Sequence, residues 1–568
     1  VFNHDLWLAP DRATFKASDG TVFNFSDYNI KAWIYGHWHN HFYALLGKSG
    51  IKSYCTSTPD KGGIDHSPAV FRVFHINEQG EIRSETRYTH LQNQIEIAVP
   101  AQAHGAPIHT GRITTRVNVY HASSPTASVQ AALLQPGQQP SWTPLARDTD
   151  FAWSGALEAK PGKQVLWVQA TLENGNILNK KIEFIAATSS TTAKPDSEWS
   201  NLRGNAGHNL LVNKPASTNP ALLWSANAGG NIFLTSPIVA EGKVFVATID
   251  DDTATRCAVV AFDAATGKQL WKFKTGNSIK SSIAYDSGTV LAADAESRLY
   301  AIDATTGQEK WFKKLNVPFL PPLDQGLITE NGIVYAGHQR GLDAVTVADG
   351  KPLWENQGRN GGEGTPATHT LGDGVLTVSS HWRGFYAHDA ATGKPLWEQT
   401  GSELRFRDGP ATFHDGKFYI ASKDSLFVLD AKTGKILQSE KTSCSMSAGS
   451  APLVTDKRII VGTAEQGLVA FDRQTLKEAW RHTTDGALIY TVPYSNNHAA
   501  SVESSPVLVG DTVYFGASDG SFYGVGLNDG RRRWAYKTGA PSFSSPAVSG
   551  NMLYMADFSG NLYAFLLK

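Results

Sequence analysis

Cysteine is almost absent from this chain: Cys55, Cys257 and Cys444 are its only three among 568 residues. Three widely spaced cysteines, an odd number, form neither a disulfide framework nor a CxxC metal site. Long apolar runs are missing too. Nothing approaches the roughly 20 residues that a helix needs to cross a bilayer. Charge of one sign is also lacking, since 51 Lys and Arg face 52 Asp and Glu. That balance gives no reason to expect nucleic acid or an anionic membrane surface as a partner. Amphipathic helical runs are scarce, whereas Gly (52) and Trp (15) are plentiful. The composition points to a mainly β protein with many tight turns, long enough for several domains.

The first 80 residues carry the most chemistry. Ala32-Trp33-Ile34-Tyr35 reads as an apolar strand and leads into Gly36-His37-Trp38-His39-Asn40-His41. On extended backbone, residues i and i+2 point to the same side. His37 and His39 could then reach two ions about 3.5–4 Å apart, the spacing of two-metal hydrolysis. Gly36 permits a sharp turn before the pair. A further lone histidine, His4, follows Val1-Phe2-Asn3.

A strand ending in a lone histidine and followed by Gly-His-x-His resembles the last two metal-binding motifs of the calcineurin-like metallophosphoesterases. The resemblance implies a partial α/β domain in which His4 and His37 bind one transition-metal ion and His39 the other (iron, zinc or manganese). His41 becomes a weaker candidate for a second-shell or substrate contact. Asp65-His66-Ser67-Pro68-Ala69-Val70-Phe71-Arg72-Val73 looks like the closing strand. The implied activity is hydrolysis of a phosphoester by a two-metal-activated hydroxide. The family's Asp-x-His, Gly-Asp-x-x-Asp and Gly-Asn-His motifs are not found. The nearest downstream stretch, Gly204-Asn205-Ala206-Gly207-His208, does not fit. On this reading the chain is the C-terminal portion of a longer protein and lacks half of its catalytic site.

Residues 81–187 change to alternating strands, with Ile113–Tyr120 and Val165–Leu172 the clearest. They suggest an Ig-like β-sandwich with Trp142, Trp153 and Trp167 in its core. Residues 188–196 read as a small, polar linker.

From 197 to 568 the chain repeats. Asp263-Ala264-Ala265-Thr266-Gly267-Lys268-Gln269-Leu270-Trp271 recurs as Asp303 to Trp311 and Asp389 to Trp397. Looser copies end at Trp354, Trp480 and Trp534, and one carries Gln438 where tryptophan is expected. The end points lie 40 to 54 residues apart, the length of a four-stranded propeller blade. Asp-Ala-x-Thr-Gly suits an outer hairpin with glycine at positive φ. Small-residue stretches precede each copy, from Thr235-Ser236-Pro237 through Ser281-Ser282-Ile283, Pro321-Pro322-Leu323, Gly364-Thr365-Pro366, Asp408-Gly409-Pro410, Gly449-Ser450-Ala451 and Ser504-Ser505-Pro506 to Ser544-Ser545-Pro546. Eight such stretches predict eight blades, the last completed by Ala221–Ser225 from the front of the ring.

This repeat resembles the tryptophan-docking motif of pyrroloquinoline-quinone (PQQ) propellers, shared by quinoprotein dehydrogenases and non-catalytic outer-membrane assembly propellers. The dehydrogenases' adjacent cysteine pair is missing, so no PQQ is expected. Loops with Arg359–Glu363, Arg405–Asp408 and Tyr490–His498 gather at one mouth and could receive a peptide, a glycan or an envelope protein. The resemblance places the protein in the periplasm or outside the cell, membrane-anchored through a missing N-terminus. Its alternative role is a non-catalytic envelope binding or assembly propeller with a vestigial phosphoesterase domain.

Overall fold

A computed structural model describes residues 1–6, 14–47, 49–91, 93–101, 110–135, 138–186, 193–215, 219–316, 323, 325–338, 341–357, 366–380, 384–401, 404, 409–489 and 498–567. Among them are 46 strands and two three-residue 3-10 turns, Phe25–Asp27 and Leu202–Gly204. No α-helix occurs among the described residues, which corrects the partial α/β expectation for the first 80 residues.

That segment is a three-stranded sheet plus a hairpin. Ala32–Tyr35 forms the expected strand and runs parallel to Ile51–Cys55, which pairs antiparallel with Phe42–Leu46. The closing strand starts only at Val70, runs to Ile76, and folds back as a hairpin with Ile82–Tyr88. Asp65 keeps the stretch before it in a turn, because its carboxylate accepts from the backbone N–H and hydroxyl of Ser67.

Residues 94–186 form one seven-stranded sheet. Its order is Ile177–Ala186, Gly162–Leu172, Thr126–Leu134, Thr143–Arg147, Ala152–Ala159, Gly111–Tyr120, Gln94–Val99. The first and last strands of that order also lie against each other, so the sheet curls around its core. Alternation decides which faces turn inward. Val117, Leu166, Val168 and Trp153 lie inside, but Trp142 and Trp167 do not. Those two meet edge to face at 4.9 Å on the outer face, with the Lys181 ammonium 3.9 Å from the Trp167 ring.

The rest is eight four-stranded antiparallel sheets. Innermost strands of successive sheets pack side by side, and Ile238–Ala240 meets Ala547–Ser549 to bring the last sheet back to the first. The last sheet takes its outer strand, Ala221–Asn227, from the front, paired with Asn561–Leu566. This closure leaves no unpaired edge where the ends meet.

Three sets of bonds hold the ring. The first joins six of the eight outer strands to the next sheet. Trp224, Trp271, Trp311, Trp354, Trp397 and Trp480 donate their indole N–H to Ala264, Ala304, Val347, Ala390, Ala431 and Leu527 carbonyls, at 2.8–3.1 Å. Each ring lies flat on the glycine of that neighbouring turn. A Cβ added at Gly307 (φ +72) would stand 2.7 Å from Trp271, and one at Gly434 2.4 Å from Trp397. The exception explains the rule. Gln438 stands in for tryptophan and donates to the Gln474 carbonyl at 3.1 Å. The turn it faces has Leu476, at φ 57, in the glycine position. Without an indole overhead there is room for a side chain.

The second set runs around the axis. The small residues of the inner stretches are more than space-savers: Ser545 N–H donates to Ser236 Oγ (3.0 Å), Ser505 N–H to Ser545 Oγ (2.9 Å) and Ala451 N–H to Ser505 Oγ (2.9 Å). Thr412 Oγ1 and Thr370 Oγ1 continue the chain to the Pro452 and Ala411 carbonyls.

The third set is a plug. Residues 197–212 cross the end of the axis and bond to the inner strand of every sheet. Trp199 pairs with Val239, the Ser200 carbonyl accepts from Tyr285, Asn201 meets Thr329, and Ala206 accepts from Leu371. Gly207 accepts from Phe413, Asn209 bonds Val454, Val212 pairs with Val509, and Ser197 bonds Ser549. Arg203, fully buried without a carboxylate, donates to the His208 and Pro452 carbonyls. Burial pushes its guanidinium down to about 9. Gly204 to His208 thus closes the axis.

Two predictions follow from these bonds. Gln438→Trp alone drives an indole onto Leu476 and lowers stability, by about 1–3 kcal/mol for overpacking. Adding Leu476→Gly relieves that loss, which a double-mutant cycle in urea reads directly. The second concerns two buried imidazoles where the plug meets the ring. His208 Nδ1 and Nε2 face the Leu202 and His369 carbonyls, to one of which the neutral ring donates its N–H, and burial pushes His208 down to about 4 and His369 to about 3. Unfolded imidazole titrates near pH 6.5. Stability due to neutral His369 is therefore intact above that pH and is lost as pH falls toward 3. The parent should lose about 2 kcal/mol more than His369→Gln between pH 7.5 and pH 5. Parallel urea midpoints across that range would contradict the assignment.

Candidate functional site

An enclosed cluster of charged side chains lies where the first 90 residues meet the propeller. The loop 248–257 connects the second and third strands of the first sheet. Asp250 shapes it: its carboxylate accepts from the backbone N–H of Asp252, Thr253, Thr255 and Arg256. Burial works to raise Asp250, but Arg256 and these hydrogen bonds outweigh it and hold the carboxyl below its ordinary value. The loop then presents Asp251 and Asp252 to the N-terminal sheet.

Arg72, from the hairpin, forms an ion pair with Asp252 at 2.5 Å, and Ser84 Oγ donates to the same carboxylate at 2.6 Å. Lys280, buried ahead of Ser281-Ser282, lies between Asp65 (3.3 Å) and Asp251 (3.2 Å) and donates to the His41 carbonyl. His41 Nε2 lies 3.1 Å from both Arg72 Nη2 and Thr86 Oγ1. Burial, then Arg72 and Lys280, push His41 well below its ordinary pKa. Its Nε2 therefore accepts from Arg72 and the ring is neutral. The seven-stranded sheet joins in, with Asp150 2.8 Å from Arg256. A cavity of about 40 Å³ lies among His41, Asp150, Asp251, Arg256, Lys280 and Phe558. It has room for water but not for a phosphoester. These charges pair across the junction and anchor the N-terminal sheet to the propeller.

Of the histidines expected as ligands, the structure brings His4 and His37 together and turns His39 away from the extended backbone. His4 Nε2 and His37 Nδ1 approach to 3.3 Å, and His37 Nε2 is 4.0 Å from Asp5. His39 departs from the strand at φ 51, with its N–H bonded to the Gly36 carbonyl. Burial first, then Lys61 and His37, lower its pKa. The same-side argument for His37 and His39 assumed extended backbone, and the chain turns there instead. His41 points into the ion cluster described above. Among the described residues, no three His, Cys, Asp or Glu side chains are placed to hold a metal ion. The expected pair of iron, zinc or manganese ions is corrected accordingly.

Asp251, Asp252, Arg72 and Lys280 were missed by sequence reasoning. Lysine beside a small-residue inner stretch, and three aspartates interrupting a repeat, were the available signals. Of the mouth loops, Arg359–Glu363, Arg405–Asp408 and Tyr490–Asn497 lie outside the described residues.

Residues 255–381 and 383–568 match the family model for outer membrane protein assembly factor BamB. The chain belongs to the BamB family. BamB of Burkholderia pseudomallei is 27% identical over 373 residues, covering 63% of this chain and 80% of that protein. Tetrathionate hydrolase of Acidithiobacillus ferrooxidans is 24% identical over 337 residues, covering 52% and 64%. Among solved structures, quinohemoprotein alcohol dehydrogenase from Comamonas testosteroni superposes with a TM-score of 0.52 at 14% identity, over 65% of this chain and 80% of that one. That likeness shows a PQQ-type propeller fold and nothing more.

BamB membership overturns the phosphoesterase reading. Relatives named BamB recur, and nothing found resembles a phosphoesterase. Hydrolase activity and a phosphoester substrate therefore have no support. The shared propeller fold carries no information on whether a quinone binds.

Lys280→Met should separate the two halves of the site. It leaves Asp65 and Asp251 buried without their cation, at a cost of about 3–5 kcal/mol. Urea denaturation reads the loss, and hydrogen exchange should rise first in residues 32–88. Unchanged stability would mean the cluster does not join the two modules.

Proposed function

We propose that this protein is a non-catalytic binding and assembly protein of the cell envelope, working in the periplasm on outer-membrane protein assembly. BamB family membership carries this reading. The charged side chains of the junction support it, being paired with one another rather than directed at an open substrate space. No helix of the described residues is long and apolar enough to cross a membrane.

In this reading residues 197–568 form an eight-bladed PQQ-like ring, 81–187 an Ig-like module and 188–196 their linker. Residues 1–80 act as a module fixed over one side of the mouth. The partner is an envelope protein engaged at the remaining mouth or along the rim. A peptide or glycan is the second choice of ligand.

The experiment is in-cell cross-linking of the full chain in its source organism, followed by membrane fractionation and mass spectrometry. Enrichment of an outer-membrane assembly protein over an unrelated periplasmic bait is expected. Absence from the envelope fractions, or cross-links only to soluble cytoplasmic proteins, would sink the proposal.

A further inference from the structure

Eight large apolar side chains between residues 1 and 76 are well exposed, Phe2, Val22, Tyr28 and Ile76 among them. One part of that surface combines exposure with a definite shape and charge. An open groove of about 870 Å³ runs between the tip of the hairpin 70–88 and the near end of the three-stranded sheet. Its size falls within the range of about 300–1,000 Å³ typical of ligand clefts.

Topology gathers cations there. Lys31 stands just before the strand Ala32–Tyr35, and Lys52 follows the start of its parallel neighbour, so both sit at the same end of the sheet. Arg83 lies across the hairpin from His75. Three cations thus line the groove against one carboxylate, Glu81. Glu81 is engaged by Asn77 Nδ2 at 2.8 Å. Lys52 Nζ donates to the Ile82 carbonyl at 2.7 Å, which fixes its ammonium at the groove wall. Neither Lys31 nor Arg83 has an acidic partner among the described residues. Ile76, 66% exposed, adds an apolar patch beside them.

We propose that this groove binds an acidic polypeptide segment of a partner protein, carboxylates on Lys31, Lys52 and Arg83 and an apolar side chain on Ile76. Charge complementarity selects the class, because cations left without partners gain most from carboxylates brought to them. The concave shape favours a chain over a bilayer, whose broad headgroup layer meets protruding faces rather than clefts. The groove lies outside residues 255–568, so this assignment and the family reading stand or fall separately.

The test uses the full chain and a fluorescent peptide of six glutamates flanking one leucine, followed by anisotropy at low and high salt. Binding should weaken at least tenfold in Lys31→Glu/Arg83→Glu and fall with salt. Lys268→Glu, on a distant propeller turn, should leave it unchanged. No binding by the parent, or equal binding by the charge-reversed variant, overturns the proposal. Co-sedimentation with phosphatidylglycerol vesicles, without peptide binding, would overturn it in favour of lipid headgroups. Circular dichroism of the double variant guards against misfolding, since both substituted side chains are exposed.

Discussion

Six outer strands of the propeller are each tied to the next sheet by an indole lying on a glycine turn and bonded to a carbonyl of that turn, and most of the ring's regularity depends on that contact. It constrains two positions at once, in consecutive repeats. The tryptophan needs a flat, side-chain-free surface, and the glycine supplies both that surface and the positive φ of the turn. Where Gln438 replaces the indole, Leu476 replaces the glycine. The pair changes together because the two residues share one volume. Hydroxyl bonds around the axis and the plug at 197–212 then fix the inner circumference, so the ring is held at both radii.

The propeller was legible because its signals are local and repeated. Asp-Ala-x-Thr-Gly fixes a turn, the residue four positions past the glycine reads as its tryptophan, and small residues mark the inner stretches. The plug was not legible. Ser197 to Val212 has no periodicity, and its contacts lie up to 353 residues away. Gly204 to His208 was compared with a metal motif and rejected on pattern alone, and its actual work depends on carbonyls from other sheets.

The candidate site was read less well for a similar reason. His37 and His39 suggested a shared face only while the backbone was taken as extended, and the turn at Gly36 to His39 removes that premise. The true neighbours of His41 are Arg72 from the hairpin and Lys280 from the propeller, which no spacing rule connects. Ion pairs across modules leave little trace in one sequence. The hydrophobic pattern served better: Trp153 is in its core, while Trp167 falls on the outward phase of its strand and pairs outside with Trp142, which precedes the strand Thr143–Arg147.

Closing the last sheet with a strand from the front also sets a timetable. Asn227 and Asn561, whose side chains bond at 2.8 Å in the finished ring, are 334 residues apart. At about 5–20 residues per second, synthesis separates them by tens of seconds. During that interval Ala221–Asn227 has no partner strand, and the plug has only some of the sheets it will finally touch. A newborn chain is therefore an open arc with a sticky leading edge, and whatever shields that edge governs how many molecules mature.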